Sequence, residues 1–374
     1  MGAKQSAFAE LARTHVPGLL NNEPGRPISE LARELGLEDD GQIDKLASNE
    51  NALGPSPLAV EAMQRAAAVM HLYPDGGAFH LKRALAAAVG VDPECLLLTN
   101  GSNEAIELLG HVYLGPGTSV VVAEYAFVIY RLVAAMFEAE SVVVPMQAFT
   151  HDLEAMHRAI RPDTRLVFVA NPNNPTGTRV DNRALDAFLR ELPEHVIAVV
   201  DEAYIELLPL EEQPDTTAHL KAGRNVVILR TFSKVYGLAG LRIGYALAAP
   251  EGIAMLQRVR QPFNVNAMAQ IAALAALGDV DFVERTRRLV RDGLAQLSSG
   301  LAGMGLDTVP SAANFLLVNV GRGRECCEAL QHKHMIARPM DGYGLPEYIR
   351  VTVGTREQNE RLLAALGDVL TSKK

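Results

Sequence analysis

The middle of the chain alternates short apolar runs with segments whose apolar residues recur at helical spacing. Short β-branched or aliphatic runs bounded by turn residues predict buried strands, here at 95–99, 120–123, 142–144, 165–170, 196–200, 226–229 and 243–247. Helical spacing lies between them, at 103–112, 153–160 and 182–192. This alternation predicts an α/β fold in which a mostly parallel sheet is covered by helices on both faces.

The two ends of the chain differ from this middle region. Residues 1–45 contain a helix-like start, a Pro/Gly/Asn passage and an amphipathic turn, which together predict an N-terminal arm. Helices are also expected at 57–69 and 79–89. We therefore predict a large domain at 46–260, an alanine-rich connecting helical segment at 261–300 and a smaller α+β domain at 301–374. Strands 314–320, 335–338 and 348–352 and helices 325–332 and 357–370 would form that last domain.

Composition narrows the class of protein. With 374 residues, 48% hydrophobic and 21% charged, the chain has a globular composition and length enough for two or three domains. A net charge of −9 argues against a nucleic-acid partner. Three cysteines without a C-x-x-C spacing predict no structural metal and no disulfide framework. Neither a signal peptide nor a membrane-spanning run is recognisable, so we expect a cytoplasmic protein.

Lys234 is the first candidate for chemistry. It follows the apolar run 226–229 and lies between the hydroxyl of Ser233 and a glycine-rich turn. Ligands of α/β sheets collect beyond the carboxyl ends of the strands. A desolvated lysine there has a lowered pKa and can form a Schiff base with a carbonyl compound. Taken alone, Lys234 would more simply be interpreted as a solvated loop lysine. The functional interpretation therefore depends on the residues of the neighbouring loops.

Three further loops leave predicted strands with suitable polar residues. Asn-Gly-Ser-Asn-Glu104 opens a helix, where free amides favour an anion such as a phosphate, although Ser102 could be a simple N-cap. In Asn-Pro-Asn-Asn-Pro-Thr-Gly177, the amide of Asn174 could donate to a phenolate oxygen. Asp201 in Asp-Glu-Ala-Tyr204 ends a buried strand and needs a cationic partner unless it caps a helix. Arg242 adds a group suited to phosphate.

These motifs resemble those of the pyridoxal-phosphate aminotransferases of fold type I and, more narrowly, the histidinol-phosphate aminotransferase family. The resemblance extends from about residue 45 to about residue 366. It also includes Leu-Ala-Ser-Asn-Glu-Asn51, Tyr-Pro-Asp75, Arg-Gln-Pro-Phe-Asn-Val-Asn266, Asn-Phe-Leu-Leu-Val318 and Ile-Arg-Val-Thr-Val-Gly-Thr355. It implies a large domain with a mostly parallel sheet, a smaller C-terminal domain and pyridoxal 5'-phosphate as cofactor.

The resemblance also implies roles for individual residues. Lys234 would bind the cofactor covalently and then shuttle a proton, while Asp201 would pair with the pyridine nitrogen. Hydrogen bonds to the ring phenolate would come from Tyr204 and Asn174, and Phe127 would stack on the ring. The cofactor phosphate would be bound by Ser102, Asn103, Ser233 and Arg242. The resemblance also implies a homodimer with shared active sites, in which Tyr73 reaches the phosphate from the second subunit.

The substrate site is implied in the same way. Arg350 matches the arginine that binds the substrate carboxylate, or the phosphate ester of a donor without an α-carboxylate; Arg338 and Asn49 are further substrate-binding candidates. The expected reaction moves an amino group between L-histidinol phosphate and 2-oxoglutarate. A Pro-Tyr pair frequent in the family's N-terminal arm is replaced by Leu-Asn-Asn-Glu-Pro24. An aromatic amino-acid aminotransferase, which would share most of the other motifs, is therefore an alternative. A phosphothreonine-type decarboxylase of the same fold and a non-catalytic binding module are two further alternatives.

Overall fold

The structure is a computed structural model that describes residues 8, 10–19, 27–37, 41 and 43–371. The Leu-Asn-Asn-Glu-Pro24 stretch lies outside these residues. The strands are β1 Asp44–Lys45, β2 Leu96–Thr99, β3 Ser119–Ala123, β4 Glu140–Val144, β5 Thr164–Ala170, β6 Ile197–Asp201, β7 Val226–Thr231, β8 Gly244–Leu247, β9 Thr308–Val309, β10 Phe315–Asn319, β11 Met335–Ile336, β12 Arg338–Pro339 and β13 Tyr348–Thr352. The α-helices are α1 Ile28–Leu35, α2 Pro57–Ala66, α3 Phe79–Val89, α4 Gly101–Tyr113, α5 Ile129–Met136, α6 Leu153–Arg158, α7 Asn182–Glu191, α8 Thr216–Lys221, α9 Pro250–Val259, α10 Ala267–Leu277, α11 Val280–Gly303, α12 Gly323–Gln331 and α13 Arg356–Thr371.

A seven-stranded sheet, called the large sheet below, has the order β2-β8-β7-β6-β5-β3-β4. Its strands from β4 through β7 pair in parallel, whereas β8 is antiparallel to both of its neighbours. In β5, Leu166 and Phe168 face one hydrophobic core and Val167 and Val169 face the other, as expected from the two-residue period of a strand. The prediction of a mostly parallel sheet is confirmed.

Helices cover both faces of the large sheet. One core contains residues of α2, α3, α6, α7 and α10, and the other contains residues of α4, α5, α8 and α9. Burial of apolar side chains on both faces explains why the strands have continuous aliphatic sequences instead of alternating polar ones. The carboxyl ends of β5, β6 and β7 consequently lie side by side at one edge.

A second, four-stranded sheet, the small sheet, has the order β12-β13-β10-β9 and is antiparallel. Helices α11, α12 and α13 pack on it through Leu297, Leu330 and Leu362. The predicted strand 335–338 is in fact two strands, because β11 pairs with β1 whereas β12 pairs with β13. This correction matters for the site, since it sets Arg338 opposite Arg350.

The helical segment after residue 250 is divided into α9, α10 and α11. Pro262 lies in the first break, where it would interrupt helical hydrogen bonding. Asn266 and Asp279 then cap the following helices by accepting hydrogen bonds from the backbone N–H groups of Ala269 and Phe282. None of the helices in the described ranges combines the length and apolar character needed to cross a membrane.

The segment 46–51 contacts both sheets. The Leu46 backbone N–H donates to the Ile336 carbonyl, and the Thr352 backbone N–H donates to the Leu46 carbonyl. Farther along, the Asn51 side chain donates to the backbone carbonyl of Val235, beyond the end of β7. The segment therefore ties the small sheet to the loop that carries Lys234; the division of the chain at 46, 261 and 301 stays a prediction.

Candidate active site

A cavity of about 490 Å³ opens at the carboxyl ends of the central strands of the large sheet, and residues of the small sheet contribute to its wall. All site residues predicted from the sequence except Tyr73 line it: Asn49, Ser102, Asn103, Phe127, Asn174, Asp201, Tyr204, Ser233, Lys234, Arg242, Arg338 and Arg350. Neighbouring parallel strands bring their terminal loops together, which explains how loops distant in sequence meet here.

Lys234 is half-buried in the cavity wall, just beyond the end of β7. Its Nζ donates a long hydrogen bond of 3.4 Å to the backbone carbonyl of Asn49 and lies 5.6 Å from the ring centroid of Tyr204. Burial, followed by the charge of Arg350, lowers the pKa of Lys234 to about 8. About one tenth of this amine is therefore uncharged at pH 7, and more at higher pH, which makes the form that acts as a nucleophile or a base accessible.

Asp201 ends β6 and is fully buried. Its Oδ2 accepts a 2.7 Å hydrogen bond from the hydroxyl of Tyr130, and its Oδ1 accepts one of 3.1 Å from the backbone N–H of Ala203. Burial raises the pKa of Asp201 to about 6, although both hydrogen bonds act in the opposite direction. At neutral pH the carboxylate is thus ionised and faces the cavity without an ion pair among the described residues. It is suited to a cationic group of a ligand.

Tyr204 lies beyond Asp201, with its ring against Phe315 at a centroid distance of 5.5 Å. Its hydroxyl accepts a 2.9 Å hydrogen bond from the side-chain amide of Asn49. Burial raises the pKa of Tyr204 to about 12, so the phenol keeps its proton at neutral pH. Tyr204 can therefore donate a hydrogen bond into the cavity.

The N-terminus of α4, a helix of 13 residues, forms another part of the wall. A Cβ atom on Gly101 would lie 2.8 Å from Nη2 of Arg242, and one on Gly244 would lie 2.9 Å from the backbone nitrogen of Ser102. Glycines at these two positions thus let the guanidinium and the helix end approach closely. With the hydroxyl of buried Ser233 nearby, these donors form a cradle for an anion such as a phosphate.

Ser102 does not cap α4: Asn100 occupies the N-cap position. The backbone N–H of Asn100 donates to Glu104 Oε2 at 2.5 Å. The alternative interpretation of Ser102 as a simple N-cap is therefore wrong, and its backbone N–H at the helix end faces the cradle.

Arg350 and Arg338 contribute positive charge from the small sheet. Arg350 is 7% exposed; its Nη1 donates to Asn174 Oδ1 at 2.5 Å and its Nη2 to the carbonyl of Ala47 at 2.9 Å, while its Nε is buried without a partner among the described residues. Burial lowers the pKa of Arg350, and the charge of Arg338 adds to that effect. Two neighbouring guanidinium groups in one cavity favour a dianionic ligand.

Tyr73 is the predicted site residue that the structure leaves outside the cavity. It is 83% exposed and stacks on Phe263, with ring centroids 5.0 Å apart. An exposed aromatic side chain of this size is uncommon unless another surface covers it.

Two residues that the sequence reasoning did not single out also line the cavity, Tyr130 and Tyr343. Tyr130 is fully buried, stacks on Phe168 and bonds Asp201. A buried tyrosine usually finds a hydrogen-bond partner, so a tyrosine in an apolar helix was a usable signal. Tyr343 has no comparable signal, since only the turn Asp341–Tyr343 brings it to the cavity.

Within the ranges that the structure describes, no group of three or more His, Cys, Asp or Glu side chains is arranged to hold a metal ion.

The chain is similar to aminotransferases over most of its length. The sequence profile of the family described as aminotransferase class I and II matches residues 42–366. Histidinol-phosphate aminotransferase of Moorella thermoacetica is 49% identical over 349 residues, covering 93% of this chain and 90% of the relative. Histidinol-phosphate aminotransferase 1 of Thiobacillus denitrificans is 48% identical over 372 residues, covering 100% of this chain and 97% of the relative.

Solved structures agree with these sequence matches. The crystal structure of histidinol-phosphate aminotransferase from Sinorhizobium meliloti in complex with pyridoxal-5'-phosphate superposes with a TM-score of 0.89 at 29% identity, covering 99% of this chain and 100% of that chain. Aspartate aminotransferase from Thermus thermophilus, solved with maleate, gives a TM-score of 0.81 at 25% identity and covers 96% of this chain. The predicted fold type I architecture and the predicted cofactor are confirmed.

Proposed function

Since this chain belongs to the class I and II aminotransferases and depends on pyridoxal 5'-phosphate, we propose that it transfers an amino group reversibly between L-histidinol phosphate and 2-oxoglutarate. The relatives from Moorella thermoacetica and Thiobacillus denitrificans, which share about half of its residues along nearly the whole chain, are named histidinol-phosphate aminotransferases. The observation that carries the proposal is the pair of guanidinium groups, Arg338 and Arg350, in one cavity with the amine of Lys234, whose pKa is lowered to about 8.

The residues around the cavity fit the cofactor. The cradle formed by the N-terminus of α4, Ser233 and Arg242 suits its phosphate, because it combines backbone N–H groups, a hydroxyl and a guanidinium. A Cβ atom on Gly101 would lie 2.8 Å from Nη2 of Arg242. Ionised Asp201 suits the protonated ring nitrogen, and Phe127 offers an aromatic face in the cavity wall. Lys234 would hold the aldehyde carbon through its amine.

The bound cofactor supplies an electron sink for the charge that develops at Cα of the amino donor. Once the amino group of the donor has replaced it at the aldehyde carbon, Lys234, whose pKa is about 8, would take the proton from Cα of the donor and deliver it to that carbon. Asp201 keeps a negative charge against the ring nitrogen, and Tyr204 and Asn174 offer polar groups to the ring oxygen. Because these groups are buried and fixed before substrate arrives, they need little reorganisation during the reaction.

Arg350 and Arg338 bind the anionic end of each substrate in turn. The phosphate ester of histidinol phosphate carries up to two negative charges and can use both guanidinium groups, whereas the second substrate offers carboxylates to the same pair. One pocket can therefore accept both partners of the exchange. The unpartnered Nε of Arg350 provides a donor that the protein itself does not use among the described residues.

A homodimer with shared active sites completes the proposal. Large apolar side chains of the segment 69–79, together with Phe263, on which Tyr73 stacks, are exposed, from 47% to 83%: Val69, Leu72, Tyr73, Phe79 and Phe263. A second copy of the chain would cover this surface and bring its Tyr73 to the cofactor phosphate. Mixing inactive Lys234→Ala and Tyr73→Ala proteins tests this arrangement, because hybrid dimers would contain one intact site and recover part of the activity. No recovery after subunit exchange would contradict the shared site.

A half-reaction tests the proposed substrate. The cofactor-loaded protein is mixed with L-histidinol phosphate, and separately with phenylalanine, without a keto acid, while the absorbance of the bound cofactor is followed. We expect histidinol phosphate to convert the cofactor faster, and Arg338→Gln to slow histidinol phosphate more than phenylalanine. If phenylalanine reacts faster with the wild-type protein, the enzyme is an aromatic amino-acid aminotransferase.

A further inference from the structure

Asn49 lies at the centre of a buried hydrogen-bond network between the two sheets. It is 2% exposed and has a φ of 56°, in the left-handed region that asparagine tolerates better than most residues. Its backbone carbonyl accepts hydrogen bonds from Lys234 Nζ at 3.4 Å and from Asn314 Nδ2 at 3.0 Å. The backbone of Asn49 is therefore held by groups from both parts of the molecule.

The hydroxyl of Thr352 determines which way the Asn49 amide points. Thr352 Oγ1 accepts a 2.9 Å hydrogen bond from the backbone N–H of Asn49. Its own proton is then donated to Asn49 Oδ1 at 3.2 Å. With Oδ1 occupied by this donor, Nδ2 faces the other way and donates to the Tyr204 hydroxyl at 2.9 Å. This orientation satisfies each atom of the amide with a partner of the right type.

The contact constrains the proton of Tyr204. A phenol has one proton to donate, and its oxygen accepts from Asn49. Burial raises the pKa of Tyr204 to about 12, so the proton is present at neutral pH. Because Asn49 offers a donor there, the hydroxyl proton must point elsewhere, and Tyr204 lines the cavity.

We infer that Asn49 is a positioning residue: through its amide it turns the Tyr204 hydroxyl proton toward the phenolate oxygen of the bound cofactor. The inference rests on the proposed contact of Tyr204 with the cofactor but not on which amino donor is used. A donor at the phenolate oxygen stabilises its anionic form and lowers the pH at which the bound chromophore takes up a proton. Loss of Asn49 should therefore raise that pH.

A double-mutant cycle tests this coupling. Asn49→Gly removes the amide and tolerates the φ of 56° without strain; Tyr204→Phe removes the hydroxyl. The pH midpoint of the absorbance change of the bound cofactor is measured without amino donor for the wild type, both single variants and the double variant, together with the dissociation constant of the cofactor. We expect Tyr204→Phe to raise the midpoint by about one unit, and Asn49→Gly by about half a unit to one unit. The double variant should equal Tyr204→Phe, since Asn49 acts through the hydroxyl.

Thr352 provides matched controls. Thr352→Ser keeps the hydroxyl and should retain the wild-type midpoint, whereas Thr352→Val has a similar shape without it and should shift the midpoint in the direction of Asn49→Gly. An unchanged midpoint in Asn49→Gly, or the same shift persisting on the Tyr204→Phe background, would overturn the role of Asn49. An unchanged midpoint in Tyr204→Phe would overturn both this role and the proposed contact of Tyr204. A failure of histidinol phosphate as donor would leave these titrations unaffected, so the two proposals fail separately.

Discussion

Replacing Arg230 by methionine should destabilise the protein strongly, because it leaves buried carboxyl groups without their cation. Nε and Nη2 of Arg230 lie 2.8 and 2.7 Å from Oε2 of Glu202, whose side chain is 0% exposed. The charge of Arg230 also lowers the pKa of half-buried Glu206, whose Oε2 is buried without a hydrogen-bond partner among the described residues. Methionine approximates the volume of the arginine stem, so the change is mainly the loss of charge.

The magnitude follows from burial. Removing one partner of a buried ion pair costs about 3–5 kcal/mol, because the remaining charge stays desolvated. Glu202 would keep only the hydrogen bond that Thr216 donates to its Oε1 at 2.5 Å, and Oε2 would have none. We therefore expect the free energy of unfolding of Arg230→Met to fall by about 4 kcal/mol, measured by urea denaturation of the cofactor-free protein at pH 7.5.

The matched control is Arg161→Met. Arg161 bonds both carboxylate oxygens of Glu140, at 3.0 and 2.6 Å, a better geometry than that of the buried pair. The side chains are, however, 39% and 61% exposed, so solvent replaces the lost interaction and the loss of stability should be small. If the free energy of unfolding falls as much in Arg161→Met as in Arg230→Met, or more, burial does not determine the cost of removing one partner of an ion pair.

Lys234→Ala should remove the absorption band of covalently bound cofactor and lower turnover at least about 10³-fold with unchanged circular dichroism; turnover within tenfold of the wild type would contradict its role. Burial raises the pKa of Asp201 to about 6 in the folded protein, so the contribution of this carboxyl group to stability is greatest at low pH and declines as pH rises from about 4 to 6. In urea denaturation, the free energy of unfolding of Asp201→Asn minus that of the wild type should therefore increase by about 1 kcal/mol or more from pH 4.5 to pH 7.5. The same difference at both pH values would contradict this expectation. Gly101→Ala should weaken cofactor binding at least about tenfold, because its φ is +68° and the new Cβ would lie 2.8 Å from Arg242 Nη2. Equilibrium titration with the cofactor measures this effect. Gly115→Ala is the control, because no neighbouring atom lies within 4 Å of the Cβ that it adds.

Local sequence patterns predicted most of the helices and strands. The helix 79–89 begins and ends where the structure has α3, and β5 differs by one residue from the predicted strand 165–170. The short strands of the C-terminal part are harder to predict from the sequence, because β11 and β12 are adjacent along the chain but pair with different strands. Two-residue strands carry too little periodicity to be separated from sequence alone.

The α/β alternation, the family and the loops that carry Lys234, Asp201, Asn174 and Arg242 are all predictable from the amino-acid sequence. These properties depend on residues close together along the chain: apolar runs, turn residues and contiguous motifs. Their joint placement at one edge follows from the rule that parallel strands share a direction.

The contacts between side chains that are distant in sequence depend on the folded arrangement of the chain. The register of β12 against β13 sets Arg338 opposite Arg350, and the packing of α5 on the sheet brings Tyr130 to Asp201. The path of segment 46–51 between the two sheets places the Asn49 amide on Tyr204. These contacts join residues separated by many positions, and strand register and helix packing, which depend on the whole core, set their geometry.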